Sequence, residues 1–397
     1  MTTTRPEPAT LPAVELDVVP PARVDRLVVH QTDLGRPSPG GIDSCLRGLL
    51  RYAPEGMRIA VVGVDAGSTA GRRLGRWELH RWGDRQAWFL PVTRLDPGDQ
   101  RRLVPHSARL VAGLARNLHR LPVAELVQAH RADVAAAARL LLRRPLAYFI
   151  HNQAAGLTGR TSDSFWRLLG DAHERLEARL VREAHEVAVF NEDYARLLED
   201  LNPATRFFPT WFDPAIVEFR ERAADPYRLV WVGRLEPPKD PLLAVLVAAR
   251  LAERDPRWSL DLVGDGTLRR ELEGFVATLP AHVRRRVRLL GRLSPTEVAA
   301  TLAGAGTFLM TSHPGYEGFP RVLVEAMATG LPALVTDGSD TGGLVISGRN
   351  GFVCGRDVDE LADAVERALD LDRAAARDSV DRLSAPRLVS RILGAGR

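Results

Sequence analysis

Short apolar runs alternate with longer segments of helical period from about residue 25 onward. In the first half, the runs that predict strands are "RLVVHQ" (26–31), "MRIAVVGV" (57–64), "AELVQAH" (124–130), "PLAYFIH" (145–151) and "EVAVFN" (186–191). The helix candidates between them include "ADVAAAARLLLRR" and the amphipathic "SDSFWRLLGDAHERLEARLVREA". Strands that alternate with helices in this way are typical of βαβ units on a parallel sheet.

A second series of the same kind follows a break in this rhythm. The segment 207–226 holds three prolines and clustered aromatic residues, and it predicts a connection between domains. The strands predicted after it are "YRLVWVG" (227–233), "SLDLVG" (259–264), "RVRLLG" (286–291), "GTFLMTS" (306–312) and "PALVTD" (332–337). The predicted fold class is therefore α/β, with two doubly wound, Rossmann-like domains.

The length of the chain also favours two domains. A chain of 397 residues is too long for one core of ordinary size. We predict an N-terminal domain over 22–212, a C-terminal domain over 213–372, and a helical segment over 373–397 that could pack back on the first domain. Residues 1–21 are rich in Pro and Thr and lack the apolar run of a signal peptide, so they predict a disordered tail.

The composition is that of a soluble globular protein, with 45% hydrophobic and 26% charged residues. No apolar run reaches the length of a membrane span. Cys45 and Cys354 are isolated in sequence, which indicates a reducing compartment and argues against structural zinc. We therefore expect a cytoplasmic protein.

The net charge of +4 is modest. The densest basic cluster lies in "HVRRRVRLLGR" (282–292), where four side chains could contact phosphates or anionic lipid: Arg284, Arg285, Arg286 and Arg288. A loop and strand edge with solvated arginines is the alternative. No aromatic platform accompanies the charge, which argues against a nucleic-acid partner.

Polar residues and glycines gather just after the predicted strands, where open parallel sheets bind their ligands. In the second series these residues are Arg234, Lys239, "GDGT" (264–267), "GRLS" (291–294), "HPGYEGFP" (313–320) and "DGSDTGG" (337–343). In the first series they are "PSPGG" (37–41), His130, "HNQAAG" (151–156) and Asn191. We expect these two sheet edges to face each other across a cleft that holds the active site.

The segment "EGFPRVLVEAMATGLP" (317–332) predicts a helix that begins near Pro320 and ends at Gly330. Glu317 would lie in the loop before this helix, and Glu325 would lie on its second turn. Free backbone N–H groups around Gly318 and Phe319 would form an anion site between the two carboxylates. Two carboxylates with an anion site between them suit the sugar, the phosphate and the ribose of one ligand, in that order. The alternative is that the helix glutamate is exposed to solvent and binds no ligand.

Arg234 and Lys239 could supply the cations for a diphosphate. Lys239 is the only lysine among 54 basic residues, so an unconstrained position would most often hold Arg. No Asp-x-Asp motif follows any of the predicted strands, and we therefore expect fixed cations, with no metal, to stabilise a leaving diphosphate.

These segments resemble the motifs of a known family. "VGRLEPPKD", "LVGDGTLRREL", "GRLSPTEVAATLAGA", "EGFPRVLVEAMATGLPAL" and "GRNGFVCGRDVDELADAVERAL" are similar to successive motifs of family 4 retaining glycosyltransferases, also called glycosyltransferase group 1. The resemblance is specific over 227–370 and looser in the first half. It implies two facing Rossmann-like domains, the GT-B arrangement.

The resemblance also implies a role for each matching position. Arg234 and Lys239 would hold the diphosphate, Glu317 would bind the sugar hydroxyls with the N–H groups of Gly318 and Phe319, and Glu325 would bind the ribose. His151 would lie near the sugar, with His130 a weaker candidate. The remaining matches would also bind the donor. They would line the base pocket (Gly264, Gly266, Arg292, Leu293), contact the donor from the loop before the helix (Pro320), or close over the phosphates or the acceptor (Gly40, Gly41).

The implied reaction is transfer of a hexose-type sugar with retention at the anomeric carbon, from a nucleotide-diphosphate donor to a glycan, glycolipid or small-molecule acceptor. No cofactor beyond that donor is expected. The loop 67–89 would help to select the acceptor, and its arginines would suit an anionic lipid or a growing glycan. Polysaccharide or glycolipid assembly at the inner membrane face would be a setting for either. Two alternatives remain open: a nucleotide-sugar epimerase on the same fold, and a non-catalytic nucleotide-sugar-binding scaffold.

Two departures from the family pattern affect these expectations. The chain has "DGSDTGGLV" where many members have "GGIPE", so sugar or acceptor contacts there are open. Pro320 stands where many members have Gly, and it restricts the loop before the helix.

Overall fold

The protein is described by a computed structural model over residues 12–36, 41–95, 105–151 and 170–394. The chain divides into two compact units. The described residues of Met1–Phe208 and Val389–Arg397 form the N-terminal unit, and Pro209–Leu388 form the C-terminal unit. None of the described helices combines the length and the apolarity that a membrane crossing needs.

The N-terminal unit is built on a nine-stranded sheet. Its strands are β1 (Ala13–Leu16), β2 (Arg23–Val29), β3 (Ile59–Asp65), β4 (Glu78–Trp82), β5 (Arg85–Arg94), β6 (Val123–Ala129), β7 (Leu146–Ile150), β8 (Glu186–Val189) and β9 (Thr205–Phe207). They lie in the order β1-β4-β5-β3-β2-β6-β7-β8-β9, and only the pairs β1–β4 and β4–β5 are antiparallel. Every residue of β3 is buried, as expected for a parallel strand covered on both faces.

The described helices of this unit are α1 (Gly41–Arg51), α2 (His106–Arg116), α3 (Ala132–Leu142), α4 (Gly170–Glu183) and α5 (Glu192–Glu199). Apolar residues of α3 and α4, including Val134 and Val181, pack with sheet residues such as Val29 and Val127 in one core. The predicted helix at 162–184 is confirmed from Gly170, and its first residues lie outside the described part of the chain.

Two predictions about the N-terminal unit are wrong. Residues 13–16, assigned to a disordered tail, form β1 and pair with β4. The segment 67–89, assigned to a variable loop, contains β4 and the start of β5. β1 is an edge strand without a fully buried side chain, so it has no apolar alternation to detect. β4 buries Glu78 and His80, which read as surface residues in the sequence.

The polar residues of β4 are buried because an ion cluster surrounds them. Arg72 donates from Nε to Glu78 at 2.7 Å and from Nη1 to Asp33 at 2.8 Å. His80 Nε2 lies 2.9 Å from the second oxygen of Glu78. A buried charge is tolerated when it is paired and hydrogen-bonded, which these contacts provide.

The C-terminal unit is built on a six-stranded parallel sheet. Its strands are β10 (Arg228–Val232), β11 (Ser259–Val263), β12 (Val287–Gly291), β13 (Thr307–Met310), β14 (Ala333–Thr336) and β15 (Gly351–Cys354). The order β12-β11-β10-β13-β14-β15 is the 3-2-1-4-5-6 order of a Rossmann sheet. The strand order reverses between β10 and β13, which is where such sheets bind ligands.

The helices of this unit are α6 (Pro241–Arg254), α7 (Arg269–Thr278), α8 (Ala281–Arg284), α9 (Pro295–Gly304), α10 (Arg321–Ala328), α11 (Val358–Ala368) and α12 (Arg373–Val380), followed by α13 (Ala385–Gly394) at the end of the described chain. Leu243, Val247 and Leu251 of α6 pack with Leu260 of β11 and Leu361 of α11 in the unit's core.

The start of α9 follows its sequence signals. Ser294 caps the helix, Pro295 occupies the first turn, and Glu297 completes the predicted capping box.

The ends of α10 differ slightly from expectation. Pro320 is the N-cap residue, one position before the first turn that we predicted for it. Gly330 has a φ of +91°, and its N–H donates to Met327 while the N–H of Leu331 donates to Ala326. This pair of bonds is the Schellman motif, so the predicted left-handed glycine at the helix end is confirmed.

Candidate functional site

The loops after β10 and β13 bring together groups that are 78 positions apart in sequence. Lys239 ends a short 3₁₀ turn, Pro237–Lys239, that follows β10. Glu317 lies in the loop between β13 and α10. The Lys239 ammonium donates to Oε1 of Glu317 at 2.5 Å, and both side chains are largely buried. Two of the predicted site residues therefore meet at the point where the strand order reverses.

Tyr316 links the two predicted cations. Arg234 donates from Nη2 to the Tyr316 hydroxyl at 2.6 Å. The Lys239 ammonium lies 5.6 Å from the centre of the Tyr316 ring, within the range of a cation–π contact. Arg234 and Lys239 thus both contact one aromatic side chain, and their binding of one anionic ligand stays a prediction.

Glu317 is held at a single oxygen. The Ser312 hydroxyl donates to Oε1 at 2.5 Å, and Lys239 donates to the same atom. Neither contact uses Oε2. A carboxylate fixed in this way keeps acceptor capacity on its second oxygen for ligand hydroxyl groups.

Three residues outside the sequence prediction support the Lys239 turn. Asp240 has a φ of +42° and caps α6. Arg356, which follows β15, donates to the Asp240 carboxylate and, at 3.0 Å, to the backbone carbonyl of Thr311. The Thr311 hydroxyl lies 2.9 Å from the carbonyl of Lys239 and 2.7 Å from that of Asp240. Arg356 and Thr311 therefore fix the backbone that carries Lys239.

The glycines of "GDGT" are explained by the close approach of two loops. A Cβ atom on Gly264, whose φ is +138°, would lie 1.8 Å from the carbonyl oxygen of Gly233. A Cβ atom on Gly266 would lie 2.4 Å from the carbonyl oxygen of Leu235. The loop after β11 thus packs directly on the loop that carries Arg234. Contact of these glycines with a nucleotide base stays a prediction.

Arg292 and Leu293 follow β12 at the same sheet edge. The Arg292 side chain is more than half exposed, and its Nε lies 3.5 Å from Asp265. Leu293 is half-buried. The predicted role of these two residues in a base pocket remains a prediction.

Gly318 and Phe319 are in contact with neighbouring threonines through their carbonyl groups. The Thr341 hydroxyl donates to Gly318, and the Thr210 hydroxyl donates to Phe319 at 3.4 Å. Thr341 belongs to "DGSDTGG", the segment that departs from the family pattern. That segment therefore packs on the predicted phosphate turn, while phosphate binding by the N–H groups of Gly318 and Phe319 stays a prediction.

Glu325 lies on the second turn of α10, as predicted, and its side chain is half-buried. Burial raises the pKa of its carboxyl to about 7, and the negative charge of Asp213 adds to this shift while Arg321 opposes it. Burial therefore favours the protonated carboxyl, which can donate to a hydroxyl group, whereas the ionised form only accepts.

An Asp-x-Asp pair does follow a strand of the structure, in contrast to the prediction from the sequence. Asp357 and Asp359 come after β15, which the apolar pattern did not reveal. Asp357 accepts the backbone N–H groups of Asp359 and Glu360 as the N-cap of α11. Asp359 accepts from Arg250 Nε at 2.8 Å. Both carboxylates are thus used in capping and ion pairing.

The histidine candidates of the N-terminal unit lie next to each other. His130 follows β6 and His151 follows β7, and Nδ1 of His130 is 2.7 Å from Nε2 of His151. Burial, with repulsion from His151, His30 and Arg26, lowers the pKa of His130 well below its usual value. Gly41 begins α1, and no atom of the described residues is recorded within 4 Å of its Cβ position, while Gly40 lies outside them.

Comparison with known proteins supports the resemblance for the C-terminal unit. Residues 214–381 match the family model described as glycosyl transferases group 1. A glycogen synthase of Mycobacterium tuberculosis (strain CDC 1551 / Oshkosh) is 36% identical over 160 residues, which are 40% of this chain and 37% of that protein. A D-inositol 3-phosphate glycosyltransferase of Pseudarthrobacter chlorophenolicus is 31% identical over 208 residues, which are 50% of this chain and 48% of that protein. The chain thus spans between about a third and a half of the length of these relatives.

Solved structures confirm the fold over nearly the whole chain. Sucrose-phosphate synthase from Thermosynechococcus elongatus has a TM-score of 0.69 at 18% identity, over 93% of this chain and 97% of that one. Anabaena Alr3699/HepE in complex with UDP and glucose has a TM-score of 0.65 at 20% identity, over 94% and 99%. The predicted fold class, two Rossmann-like α/β domains as in GT-B proteins, is confirmed.

Proposed function

We propose that this chain is a retaining glycosyltransferase that transfers a hexose-type sugar from a nucleotide-diphosphate donor to a glycan, glycolipid or small-molecule acceptor. The observation that carries the proposal is the meeting of Lys239, Arg234 and Glu317 where the strand order of a Rossmann sheet reverses. All three residues lie within the segment that matches the group 1 family model.

The two cations would bind the donor diphosphate. Lys239 is paired with Glu317 and Arg234 donates to the Tyr316 hydroxyl, and both cations would exchange these contacts for phosphate oxygens. Charge-assisted hydrogen bonds to phosphate are stronger than the bond from Arg234 to Tyr316. As the diphosphate leaves, its charge grows, and fixed cations stabilise it without a metal ion.

The two carboxylates would bind the hydroxyl groups of the donor. Glu317 would bind the sugar through Oε2, because the Ser312 hydroxyl still bonds Oε1 when Lys239 turns to the phosphate. Glu325 lies on the second turn of α10 and would bind the ribose. A ribose hydroxyl that donates to the carboxylate would stabilise its ionised form, so we expect donor binding to lower the pKa that burial raises.

The bond changes of the proposed reaction balance without a further reactant. The bond between the anomeric carbon and the diphosphate oxygen breaks, and the acceptor oxygen bonds to the same face of that carbon. The acceptor proton moves to an oxygen of the leaving diphosphate. His151 would contact the sugar or the acceptor, and no residue is proposed as a covalent nucleophile.

The names of the relatives suggest which donors to test first. The Alr3699/HepE structure contains UDP and glucose, and another relative, from Escherichia coli, is named a UDP-Gal-dependent galactosyltransferase. We therefore propose UDP-hexoses as the first donors. A polysaccharide or glycolipid acceptor and a cytoplasmic location belong to the same proposal.

A ligand panel tests the donor site before any acceptor is known. We expect one nucleoside diphosphate to raise the Tm of the full chain in the presence of EDTA, and Lys239→Ala to abolish the shift. Release of nucleoside diphosphate from the matching nucleotide sugar should then depend on an added acceptor. Release without an acceptor would favour the epimerase, binding without release would favour the scaffold, and no binding would overturn the proposal.

A further inference from the structure

Five side chains of the N-terminal unit form one continuous chain of hydrogen bonds. Arg26 on β2 donates to Glu186 on β8 at 2.9 Å and to Oε1 of Gln128 on β6 at 3.0 Å. Nε2 of Gln128 lies 2.7 Å from Nε2 of His130. Nδ1 of His130 lies 2.7 Å from Nε2 of His151. Arg26, Gln128 and His130 are buried, so water does not replace these contacts.

The donor and the acceptor of every hydrogen bond in this series follow from Arg26. A guanidinium can only donate, so the Gln128 atom that it contacts is the carbonyl oxygen. The other Gln128 atom is then the amide nitrogen, which donates to His130 Nε2. A neutral His130 that accepts at Nε2 carries its proton on Nδ1 and donates to His151 Nε2. We infer that Arg26, Gln128 and His130 are positioning residues that hold His151 as a neutral ring protonated at Nδ1.

The packing of the rings supports this direction. The planes of His130 and His151 differ by 18°, and their facing nitrogens are within hydrogen-bond distance, so the rings meet edge to edge. The His151 ring is stacked on Phe190 with centres 4.6 Å apart, and His130 lies 4.9 Å from Phe149. We call this oriented series of hydrogen bonds from Arg26 to His151 the relay. Burial keeps His130 neutral, as the relay requires.

The same residues could be taken for a metal site. Cys45, His130 and His151 are the one group within the described chain whose three ligand atoms all lie within 4.8 Å of one another. A metal bound to Nδ1 of His130 would place the ring proton on Nε2, directly against the Gln128 amide. Arg26 prevents Gln128 from turning to accept that proton. The directions of the hydrogen bonds therefore favour the relay over a metal site.

The relay gives His151 a defined role, which rests on the proposed transferase function. With Nε2 occupied as an acceptor, the ring presents Nδ1–H as a donor. A neutral donor can hold an acceptor or sugar oxygen without adding a positive charge beside the breaking bond. His151 would then orient substrate and would not act as the general base.

Nitrogen-15 NMR of histidine in the full-length protein tests the inference directly. We expect His151, identified by the loss of its signals in His151→Asn, to show a protonated Nδ1 and an unprotonated Nε2 at neutral pH. Gln128→Glu is nearly isosteric and can only accept, so it should reverse the tautomers of both rings. The matched control is Gln86→Glu, which faces Arg81 on the same sheet without a histidine and should leave both rings unchanged.

Three outcomes would overturn the relay. The first is a wild-type His151 protonated at Nε2, and the second is a His151 spectrum that Gln128→Glu does not change. The third is a shift of both histidine spectra by one equivalent of Zn²⁺, which would establish the metal site. In the transferase assay, Gln128→Glu should lower kcat about tenfold with an unchanged donor KM, as the loss of one hydrogen bond would. If the NMR results hold but no transfer is found, the proposed function fails and the relay stands.

Discussion

Lys239 offers the sharpest test of the proposed diphosphate site at the scale of single residues. Lys239→Ala removes the ammonium that contacts Glu317 and Tyr316. We expect turnover to fall by roughly 10²-fold or more, as the loss of an oxyanion contact does. We also expect a lower Tm, because Glu317 is left without its cation. Lys239→Arg should also be impaired, because a planar guanidinium does not replace a compact charge. Steady-state kinetics with the identified donor would measure both effects.

A cation on the same sheet edge provides the control for Lys239. Arg270 is exposed on α7, and Arg270→Ala should leave turnover within about twofold, as surface substitutions usually do. Near-normal transfer by Lys239→Ala would remove the role assigned to this lysine, and full activity of Lys239→Arg would show that a compact charge is not required.

Glu325 predicts a dependence of stability on pH. Its pKa rises from 4.5 to about 7 on folding, so the folded protein keeps this proton at pH values where the unfolded chain has lost it. The contribution is therefore fully present below pH 4.5 and is lost as pH rises through 7. Glu325→Gln should gain roughly 1–3 kcal/mol in free energy of unfolding over the wild type between pH 4.5 and pH 8.

Urea unfolding of both proteins at the two pH values measures this difference. The exposed Glu271 provides the control, since Glu271→Gln should follow the wild type at both pH values. A Glu325→Gln protein whose advantage does not grow with pH would show that the carboxyl is already ionised in the folded state at low pH.

The structure brings together three charged residues that the sequence singled out, but the residues that support them were not predicted. Lys239, Arg234 and Glu317 follow strands and stand out by type and position. Tyr316 and Arg356 do not stand out in the sequence, because the residues that they contact follow other strands. Arg356 contacts Thr311 and Asp240, which are 45 and 116 positions away. No local pattern encodes contacts of that separation.

At the scale of elements, Gly264 tests how closely two strand-end loops pack. A Cβ atom there would lie 1.8 Å from the Gly233 carbonyl oxygen, and the φ of +138° is unfavourable for other residues. We expect Gly264→Ala to lose roughly 2 kcal/mol or more of unfolding free energy. The measurement is the urea midpoint of the purified variant.

A second glycine serves as the control for Gly264. Gly274 lies inside α7 with nothing within 4 Å of its Cβ position. Gly274→Ala should be stabilising by up to about 1 kcal/mol, since Gly is a poor helix former. Equal effects of the two substitutions would mean that the loop after β11 can move away from β10 at little cost.

The elements that the sequence missed share a physical cause. The pattern identified strands with buried apolar faces, such as β3 and β10. It missed β1, whose side chains are mostly exposed, and β4, whose buried residues Glu78 and His80 are polar. An alternation of apolar residues indicates a strand that buries hydrocarbon side chains. A strand that buries charged side chains lacks this alternation.

At the scale of the whole molecule, alternation of strands and helices was enough to predict two Rossmann-like domains. This alternation does not predict the order of the strands in the sheet, because that order depends on the side on which each crossover connection places the next strand. The observed 3-2-1-4-5-6 order of the C-terminal sheet accounts for the place of the proposed site: the order reverses between β10 and β13, which is where such sheets bind ligands.

Charge distribution at this scale bears on the proposed contact with a membrane surface. The net charge is only +4, so attraction to anionic lipid would depend on local clusters. Arg288 of the predicted cluster is committed to Asp261, with bonds of 2.6 and 2.7 Å. Arg284, Arg285 and Arg286 are exposed at the end of α8 and remain the candidates.

We propose that these three arginines bind anionic lipid, and vesicle sedimentation tests the proposal. Binding of the full chain should need anionic lipid and weaken between about 50 and 500 mM salt, because screening shortens the reach of exposed charges. Replacing all three by Gln should weaken binding at least tenfold, if each contributes about 1 kcal/mol. The control replaces Arg116, Arg175 and Arg182, exposed on α2 and α4, and changes the net charge equally. An equal loss in both variants would indicate attraction by net charge alone, and indifference to lipid charge and salt would exclude the contact.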